Sequence, residues 1–405
     1  MKRAILLLLL GLTYCAGGVT RQFLAGPHAS MQAAASGEVH RRGYTGNEVC
    51  TSCHRKESQG YAATAHHLTS QFPTDDSVTG FHDAGSNLLM IADPANANAE
   101  KAGLYFNMER RGSEFYETAT TGWLGHLSSQ SARIDIVIGS GRRGLTYLSW
   151  RGDQLFELPV TYWADGKRWI NSPGYRDGEA NFTRPIFPRC LECHAAFIKP
   201  LSGDPSSNRY DKSTLEAGIG CETCHGPGAR HAALWRGRSG AAGQSDQSIL
   251  SPAHFSRDRQ VDLCGFCHNG IRELGIAPPF SYVPGEPLDD YLEPDTNNVV
   301  EHPDVHGNQV GLLKRSRCYL SSPKMTCSTC HDVHAPEKTM EFYSGRCLTC
   351  HRMENCGEFK RMGDKIATKC IDCHMPVEET KKIVSTTAGQ VVRATMRNHW
   401  IKIYR

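Results

Sequence analysis

The chain has 405 residues, with 45 Lys and Arg, 42 Asp and Glu, 19 His and 17 Cys. Its formal net charge of +3, with no long basic run, excludes the strongly basic surface of a typical nucleic-acid-binding protein. Cysteine makes up about 4% of the residues, below the roughly 8–10% of a small disulfide-rich scaffold. Only 39% of the residues are hydrophobic, so we expect a group other than side chains to fill part of the core.

The first 18 residues predict an export signal. Two basic residues after Met1 precede an apolar run over 4–12, about half the roughly 20 residues that a membrane-spanning helix needs. Small residues favour cleavage near Gly18, and export places the mature protein in the periplasm or outside the cell. The sequence before Cys15 also resembles a lipoprotein box, so membrane attachment through a lipidated Cys15 is an alternative.

Fourteen of the 17 cysteines belong to one repeated motif, C-x-x-C-H, which occurs seven times. Random placement of Cys and His at these frequencies would give far fewer than one copy, so the repetition reflects a shared chemistry. The first cysteines of the motifs are Cys50, Cys190, Cys221, Cys264, Cys327, Cys347 and Cys370, and the second are Cys53, Cys193, Cys224, Cys267, Cys330, Cys350 and Cys373.

The motif is the attachment site of c-type haem, in which two thiols bind the porphyrin and the adjacent His ligates the iron as proximal ligand. A zinc site would combine C-x-x-C units with each other or with two His, and it would not explain a His after every pair. A redox dithiol needs one C-x-x-C near a βαβ pattern. We therefore predict seven covalently bound c-type haems. Their proximal iron ligands are His54, His194, His225, His268, His331, His351 and His374.

The uneven spread of the motifs predicts four parts. Residues 1–18 are the signal peptide, 19–99 carry the first haem, and 186–405 form a cytochrome domain with the other six. The long stretch between the first two motifs leaves room for a β-rich insert over 100–185. The fold class is α+β and loop-rich, with short helices around a seven-haem array.

Alternating apolar residues over 134–138 predict a strand of the insert, and the runs 145–150 and 155–163 predict two more, joined by turns into an antiparallel meander. Pro159 inside the third run predicts an edge strand or a break. The glycines of Gly139-x-Gly141-x-x-Gly144 match a dinucleotide-binding fingerprint by letters, but that site needs a following helix. Because a strand follows, we predict a hairpin turn.

The sixth iron position decides between electron transfer and chemistry at the iron. A haem with a second axial His is suited to passing electrons, whereas an open position can bind a small molecule. Twelve His remain after the seven proximal ones, which permits a second His for every haem. His231 and His334 follow their own motifs too closely to reach the opposite porphyrin face, so we expect them to serve neighbouring haems. The candidate distal ligands are His66, His67, His231, His254, His302, His306, His334 and His399.

Cys318 and Cys356 flank the fifth and sixth motifs and belong to neither. In an oxidising compartment outside the cytoplasm, a disulfide between them is one hypothesis. The other hypothesis is two unpaired thiols.

Three segments carry a family resemblance: 220–228 with His231, 327–334, and 370–376 with His399. They resemble the bacterial multihaem cytochromes grouped with tetrahaem nitrifier cytochromes, hydroxylamine oxidoreductase and pentahaem nitrite reductase. The resemblance implies closely packed haems that are mostly ligated by two His and exchange electrons rapidly.

The resemblance covers 48–70 and 186–405, with two departures that weaken an enzymatic function. No C-x-x-C-K motif, typical of the catalytic haem of the nitrite reductase, is present, and hydroxylamine oxidoreductase has eight haems rather than seven. We favour an electron-transfer protein with redox partner proteins as donor and acceptor and without nucleic acid. The alternatives are an oxidoreductase acting on a small nitrogen or sulfur compound at an open haem, and an assembly role as a homo-oligomer or subunit.

The motif count predicts the cofactor content. A pyridine haemochrome assay should give about seven haems per chain, and the mass of the denatured protein should include them because thioether bonds survive unfolding. A colourless protein that contains zinc would contradict this prediction.

Overall fold

A computed structural model of the protein describes residues 41–80, 87–236, 246–270, 275–293, 301–303 and 307–404. The predicted signal peptide, Cys15 and His306 lie outside the described residues. Helices, sheets and long loops are all present, so the α+β, loop-rich class is confirmed. None of the helices in the described ranges is both long and apolar enough to cross a membrane.

The helices are short, and most lie next to a C-x-x-C-H motif. In the described residues the α-helices are α1 (Asn47–Cys53), α2 (Arg55–Ala62), α3 (Pro188–Glu192), α4 (Cys221–His225), α5 (Ala229–Trp235), α6 (Arg257–His268), α7 (Gln309–Lys314), α8 (Arg317–Ser321), α9 (Met340–Cys347), α10 (Phe359–Met362) and α11 (Cys370–His374). Single 3-10 turns cover His67–Thr69, Pro94–Asn96, Pro252–His254, Leu288–Asp290, Cys327–Thr329 and Met353–Asn355, and a longer one covers Gly363–Thr368.

The strands concentrate between the first and second motifs. They are β1 (Ser70–Gln71), β2 (Leu88–Ala92), β3 (Gly103–Arg111), β4 (Glu114–Trp123), β5 (His126–Arg133), β6 (Ile136–Ile138), β7 (Gly144–Arg151), β8 (Gln154–Trp163), β9 (Arg168–Asn171), β10 (Arg184–Pro185), β11 (Ala195–Pro200), β12 (Tyr210–Ala217), β13 (Val377–Thr387) and β14 (Gln390–Arg397). One antiparallel sheet has the order β1-β6-β7-β8-β10 with β9 also on β8, and a second has the order β2-β3-β4-β5. Strands β11 with β12 and β13 with β14 form two separate hairpins.

The predicted meander is confirmed, because β6 pairs with β7 and β7 with β8, all antiparallel. The glycine-rich segment is the turn between β6 and β7, with positive φ at Gly139 and Gly141, as the hairpin interpretation required. Of the two alternatives at Pro159, a break describes β8 and an edge strand does not, because β8 has neighbours on both sides. Its ladder with β7 shifts register beside this residue, which accommodates the missing N–H donor.

The second sheet was not singled out in the sequence. Its outer face carries hydroxyl pairs, Thr118 with Ser131 and Thr120 with Ser129, each 2.8 Å apart. These polar side chains occupy positions where a strand often carries large apolar residues, so the sequence shows no clear strand pattern here. The inner faces of the two sheets bury a cluster of fifteen apolar residues, among them Phe106.

Cys318 and Cys356 are both free thiols in this structure. The disulfide hypothesis is therefore wrong for this structure, and the alternative of two unpaired thiols describes it. Both side chains are partly exposed.

Glu117 of β4 is a carboxyl group inside this apolar core. It is fully buried, and neither side-chain oxygen has a hydrogen-bond partner among the described residues. Burial raises the pKa of Glu117 well above its ordinary value, and the nearby backbone N–H of Val160 offsets only part of this shift. Burial in this core therefore favours the protonated, neutral form of the group.

Replacing Glu117 by Leu should stabilise the β-rich part by about 1–3 kcal/mol at pH 7, because an unpaired buried polar group is removed. In the native protein stability falls as pH rises above the ordinary carboxyl pKa, since the unfolded chain releases the proton and the folded chain retains it. The gain should therefore be larger at pH 7 than at pH 4. The gain in stability can be measured by hydrogen exchange of peptides from β3 to β8.

Glu114→Gln on the same strand is the matched control. Glu114 is exposed and paired with Arg133, so its replacement should change exchange little. Equal exchange in native protein and Glu117→Leu would contradict the prediction.

Candidate haem-ligand site

Each C-x-x-C-H motif forms about one helical turn. The backbone N–H of His54 donates to the carbonyl oxygen of Cys50 at 2.9 Å, and His351 donates to Cys347 at 3.0 Å. Residues three and four apart share one face of a helical turn. Both thiols and the imidazole therefore lie on the same side of the turn, as attachment of one porphyrin and ligation of its iron require.

Four of the predicted proximal histidines face a second histidine from another part of the chain. A bond between a metal and an imidazole nitrogen is about 2 Å long, so two imidazoles on opposite sides of one iron have ring centres about 6 Å apart. The observed spacing fits one iron between the rings of each pair. The pairs are His54 with His231 (6.0 Å), His66 with His268 (5.8 Å), His225 with His334 (6.0 Å) and His331 with His399 (6.3 Å).

The facing histidines come from different motifs. His231 follows the third motif and faces His54 of the first, and His334 follows the fifth motif and faces His225 of the third. This is the arrangement that we expected for these two residues, and iron ligation itself stays a prediction. The ring planes of these two pairs are within 25° of parallel, whereas those of His66 and His268 differ by 85°.

Hydrogen bonds at Nδ1 fix the orientation of several of these rings. Nδ1 of His225 lies 2.9 Å from the carbonyl oxygen of Leu250, and Nδ1 of His399 lies 3.1 Å from that of Arg397. A carbonyl oxygen can only accept, so Nδ1 carries the proton and Nε2 keeps its lone pair. Nε2 is the atom that can ligate an iron.

The same orientation holds at two other histidines. Nδ1 of His374, the predicted proximal ligand of the seventh motif, lies 2.8 Å from the carbonyl oxygen of Lys402. Nδ1 of His231 hydrogen-bonds to the carboxylate of Asp246, which also accepts from the indole N–H of Trp235 at 2.7 Å. A carboxylate on Nδ1 increases the basicity of Nε2 as a metal ligand.

Burial keeps two of these imidazoles neutral. It lowers the pKa of His268 and of His399 to about 4 in each case, with smaller contributions from neighbouring charged groups. A protonated imidazole has no lone pair for a metal. These two rings are therefore in the ligand form at neutral pH.

The other candidate ligands are not brought to a predicted proximal histidine. His302 uses both ring nitrogens elsewhere, with Nδ1 3.1 Å from Glu378 and Nε2 2.8 Å from Nζ of Lys381. The ring of His67 lies against Tyr61 at 5.8 Å, and His254 is exposed.

Three predicted proximal histidines are outside the four pairs. They are His194, His351 and His374. Nδ1 of His194 lies 2.9 Å from the hydroxyl of Thr69, so this buried ring is also oriented by a neighbour. His351 is exposed.

Contacts between thiols of different motifs show which motifs are neighbours, a feature that has no signal in the sequence. Four pairs of motifs are joined in this way, the first with the third, the second with the fourth, the fourth with the fifth and the sixth with the seventh. The thiol pairs are Cys50 with Cys221, Cys193 with Cys267, Cys264 with Cys327, and Cys347 with Cys370.

The donor set fits axial ligation of haem iron better than a cage of protein ligands. Throughout the described residues, no group of three or more His, Cys, Asp and Glu side chains is placed to hold one metal ion. The arrangement that recurs is a pair of imidazoles, and one member of each pair directly follows two cysteines. When bound, haem would supply an iron that changes between the ferric and ferrous states.

Comparisons with known proteins agree with this chemistry. The family described as "Cytochrome c554 and c-prime" matches residues 170–226. The chain is 31% identical over 166 residues to the C-type polyheme cytochrome OmcC of Geobacter sulfurreducens, a match that covers 40% of this chain and 20% of that protein. It is 24% identical over 186 residues to the multiheme cytochrome MtrA of Shewanella baltica, covering 43% of this chain and 55% of that protein.

A solved structure has a similar fold. The outer cell wall cytochrome OcwA superimposes with a TM-score of 0.54 at 18% identity, covering 89% of this chain and 80% of that one. The chain spans about a fifth of the length of OmcC. The comparisons do not support the specific resemblance to hydroxylamine oxidoreductase and pentahaem nitrite reductase. They support a multihaem c-type cytochrome.

Proposed function

We propose that the protein transfers electrons outside the cytoplasm along a chain of seven c-type haems, most of them ligated by two histidines. The observation that carries the proposal is the set of four imidazole pairs at iron-spanning distances. Two axial histidines saturate the iron, which then exchanges electrons without binding a substrate. Each histidine pair also ties one motif to another.

The contacts link all seven motifs into one set. The facing histidines connect the first motif with the third, the third with the fifth, the fifth with the C-terminal segment after the seventh, and the fourth with the segment after the first. The thiol contacts add the second motif through the fourth and the sixth through the seventh. Haems attached to motifs in this arrangement would lie close enough for successive electron hops.

The distribution of apolar side chains supports the burial of haem beside the motifs. The β-rich part buries a cluster of fifteen apolar residues, whereas the described clusters around the fourth and fifth motifs contain three each. Porphyrins are large apolar plates whose burial would supply the missing hydrophobic stabilisation. The low hydrophobic fraction of the whole sequence has the same explanation.

The proposed location is the periplasm or the cell exterior. It rests on the signal peptide predicted over 1–18 and on the name of OcwA, an outer cell wall cytochrome. Redox partner proteins would then deliver and remove electrons. An oxidoreductase function at an open haem is not favoured by the comparisons, because the relatives that match are described as multihaem cytochromes.

Replacing His231 by Ala tests the axial ligation. The variant should gain one high-spin haem in the electron paramagnetic resonance spectrum of the oxidised protein, because the imidazole facing His54 is lost. In a reductive titration the native haems should all accept and release electrons reversibly. His302→Ala is the matched control and should leave the spectrum unchanged, since both ring nitrogens of His302 have other partners.

An unchanged spin state in His231→Ala would contradict ligation by His231. If the native haems could not be reduced and reoxidised reversibly, the proposed electron-transfer function would be contradicted.

Gly60 of α2 tests the position of a second distal candidate. A Cβ atom at this position would overlap the carbonyl oxygen of His334, whereas Ala is otherwise the better helix former. Gly60→Ala should therefore displace His334 from His225 and shift the absorption spectrum of one haem. Gln59→Ala, at an exposed position of the same helix, should leave the spectrum unchanged. Identical spectra for the two variants would show that His334 is not held through this contact.

A further inference from the structure

Glu157 of β8 is a carboxylate enclosed between the β-rich part and the second motif. Only 13% of its side chain is exposed, and one carboxylate oxygen lies 3.3 Å from the guanidinium of Arg184. Arg184 belongs to β10, where it is the direct cross-strand partner of Glu157. The hydroxyl of Tyr175 donates to the backbone carbonyl of Glu157 at 2.6 Å, which fixes the strand at this point.

The helix that carries the second motif packs directly on this strand. Leu155 of β8 belongs to one apolar cluster with Ile186 and with Leu191, which lies between the two motif cysteines. The backbone N–H of Ile186 also donates to the carbonyl oxygen of Leu155 at 3.0 Å. The negative charge of Glu157 reaches Cys190 and contributes to the raised pKa of that thiol, after burial. The carboxylate is therefore within electrostatic range of a haem attached at Cys190.

The groups around Glu157 have opposing effects on its carboxyl group, some favouring the protonated form and one favouring the carboxylate. Burial raises the pKa of Glu157 to about 7, and the positive charge of Arg184 opposes part of this rise. Glu117 on β4 interacts with it electrostatically, and burial raises the pKa of Glu117 and that of Tyr175, which disfavours a negative charge on either neighbour. Arg184 is thus the single fixed charge among these neighbours.

We propose that Glu157 binds a proton from solvent when the haem attached at Cys190 and Cys193 accepts an electron, so that electron transfer through the second motif is coupled to proton uptake. The inference rests on the proposed function. The electron arrives from a neighbouring haem and reduces ferric iron to ferrous iron. The proton forms an O–H bond at the carboxylate of Glu157, and no bond of the protein breaks. The net charge of the haem and the carboxyl together stays the same.

The coupling follows from the weak screening of buried charges. Reduction removes one positive charge from the haem, and in a medium of low dielectric constant the nearby carboxylate then binds a proton more tightly. The linkage is reciprocal, so protonation of Glu157 favours the ferrous state. The reduction potential of this haem should fall as pH rises through the range in which Glu157 titrates. Below and above that range, the potential should not depend on pH.

Spectroelectrochemical titration of the holoprotein between pH 5 and 9 tests this inference. Glu157→Gln imitates the protonated state, so one haem should lose its pH dependence and keep the potential that the native protein shows at low pH. Electrochemical reduction in weakly buffered solution with a pH indicator should also show a smaller proton uptake in this variant. Asp153→Asn, at an exposed carboxylate that pairs with Arg209, is the matched control and should behave as the native protein does.

Arg184→Gln keeps the test decisive if Glu157→Gln fails to fold with its haems. Loss of the guanidinium should move the pH-dependent range upward, because a nearby positive charge stabilises the carboxylate. Native pH dependence and native proton uptake in Glu157→Gln would overturn the inference, and so would an unmoved range in Arg184→Gln. In both cases, reversible reduction of the haems would still agree with the proposed electron-transfer function. If the native protein showed no reversible reduction, the proposed function itself would be contradicted.

Discussion

The facing of imidazoles from distant segments is the constraint on which the part of the structure with the C-x-x-C-H motifs depends. Each pair brings two segments that are distant in sequence to within about two metal–nitrogen bonds of each other. The helices that hold these rings are short, and the described apolar clusters beside them are small. With haems attached as proposed, metal-ligand bonds would supply much of the cohesion that side-chain packing provides elsewhere, and folding of this part would be coupled to haem attachment.

The β-rich part is held together by a different interaction. Its two sheets share an apolar core, so this part needs no cofactor to bury a large surface. The segment after the first motif joins the two kinds of structure within a few residues. His66 faces His268, Thr69 hydrogen-bonds to His194, and Ser70 pairs with Ile138 of β6. A displacement of this segment would thus alter side-chain contacts at two motifs and strand pairing at the edge of the sheet.

The sequence predicted what depends on local spacing. The C-x-x-C-H turns and strands β6 to β8 follow from short-range geometry and periodicity, and both are found. Contacts between residues that are distant in sequence could not be predicted from local spacing. The count of spare histidines does not separate His302, which Glu378 and Lys381 engage, from His399, which faces His331, and only the family resemblance singles out His399. The same limit left an edge strand and a break as alternatives at Pro159, because a shift of register can be recognised only when the neighbouring strand is known.

The second motif is where these two kinds of structure act on each other. Its helix rests on β8 through apolar contacts, and the family match over 170–226 includes this helix but not β8. A sheet that only filled space would present apolar side chains to such a helix. Here it also presents Glu157, which a single cation partly neutralises. Burying a carboxylate is costly unless its charge is compensated, so a haem attached at the second motif as proposed would change this cost each time its iron gained or lost an electron.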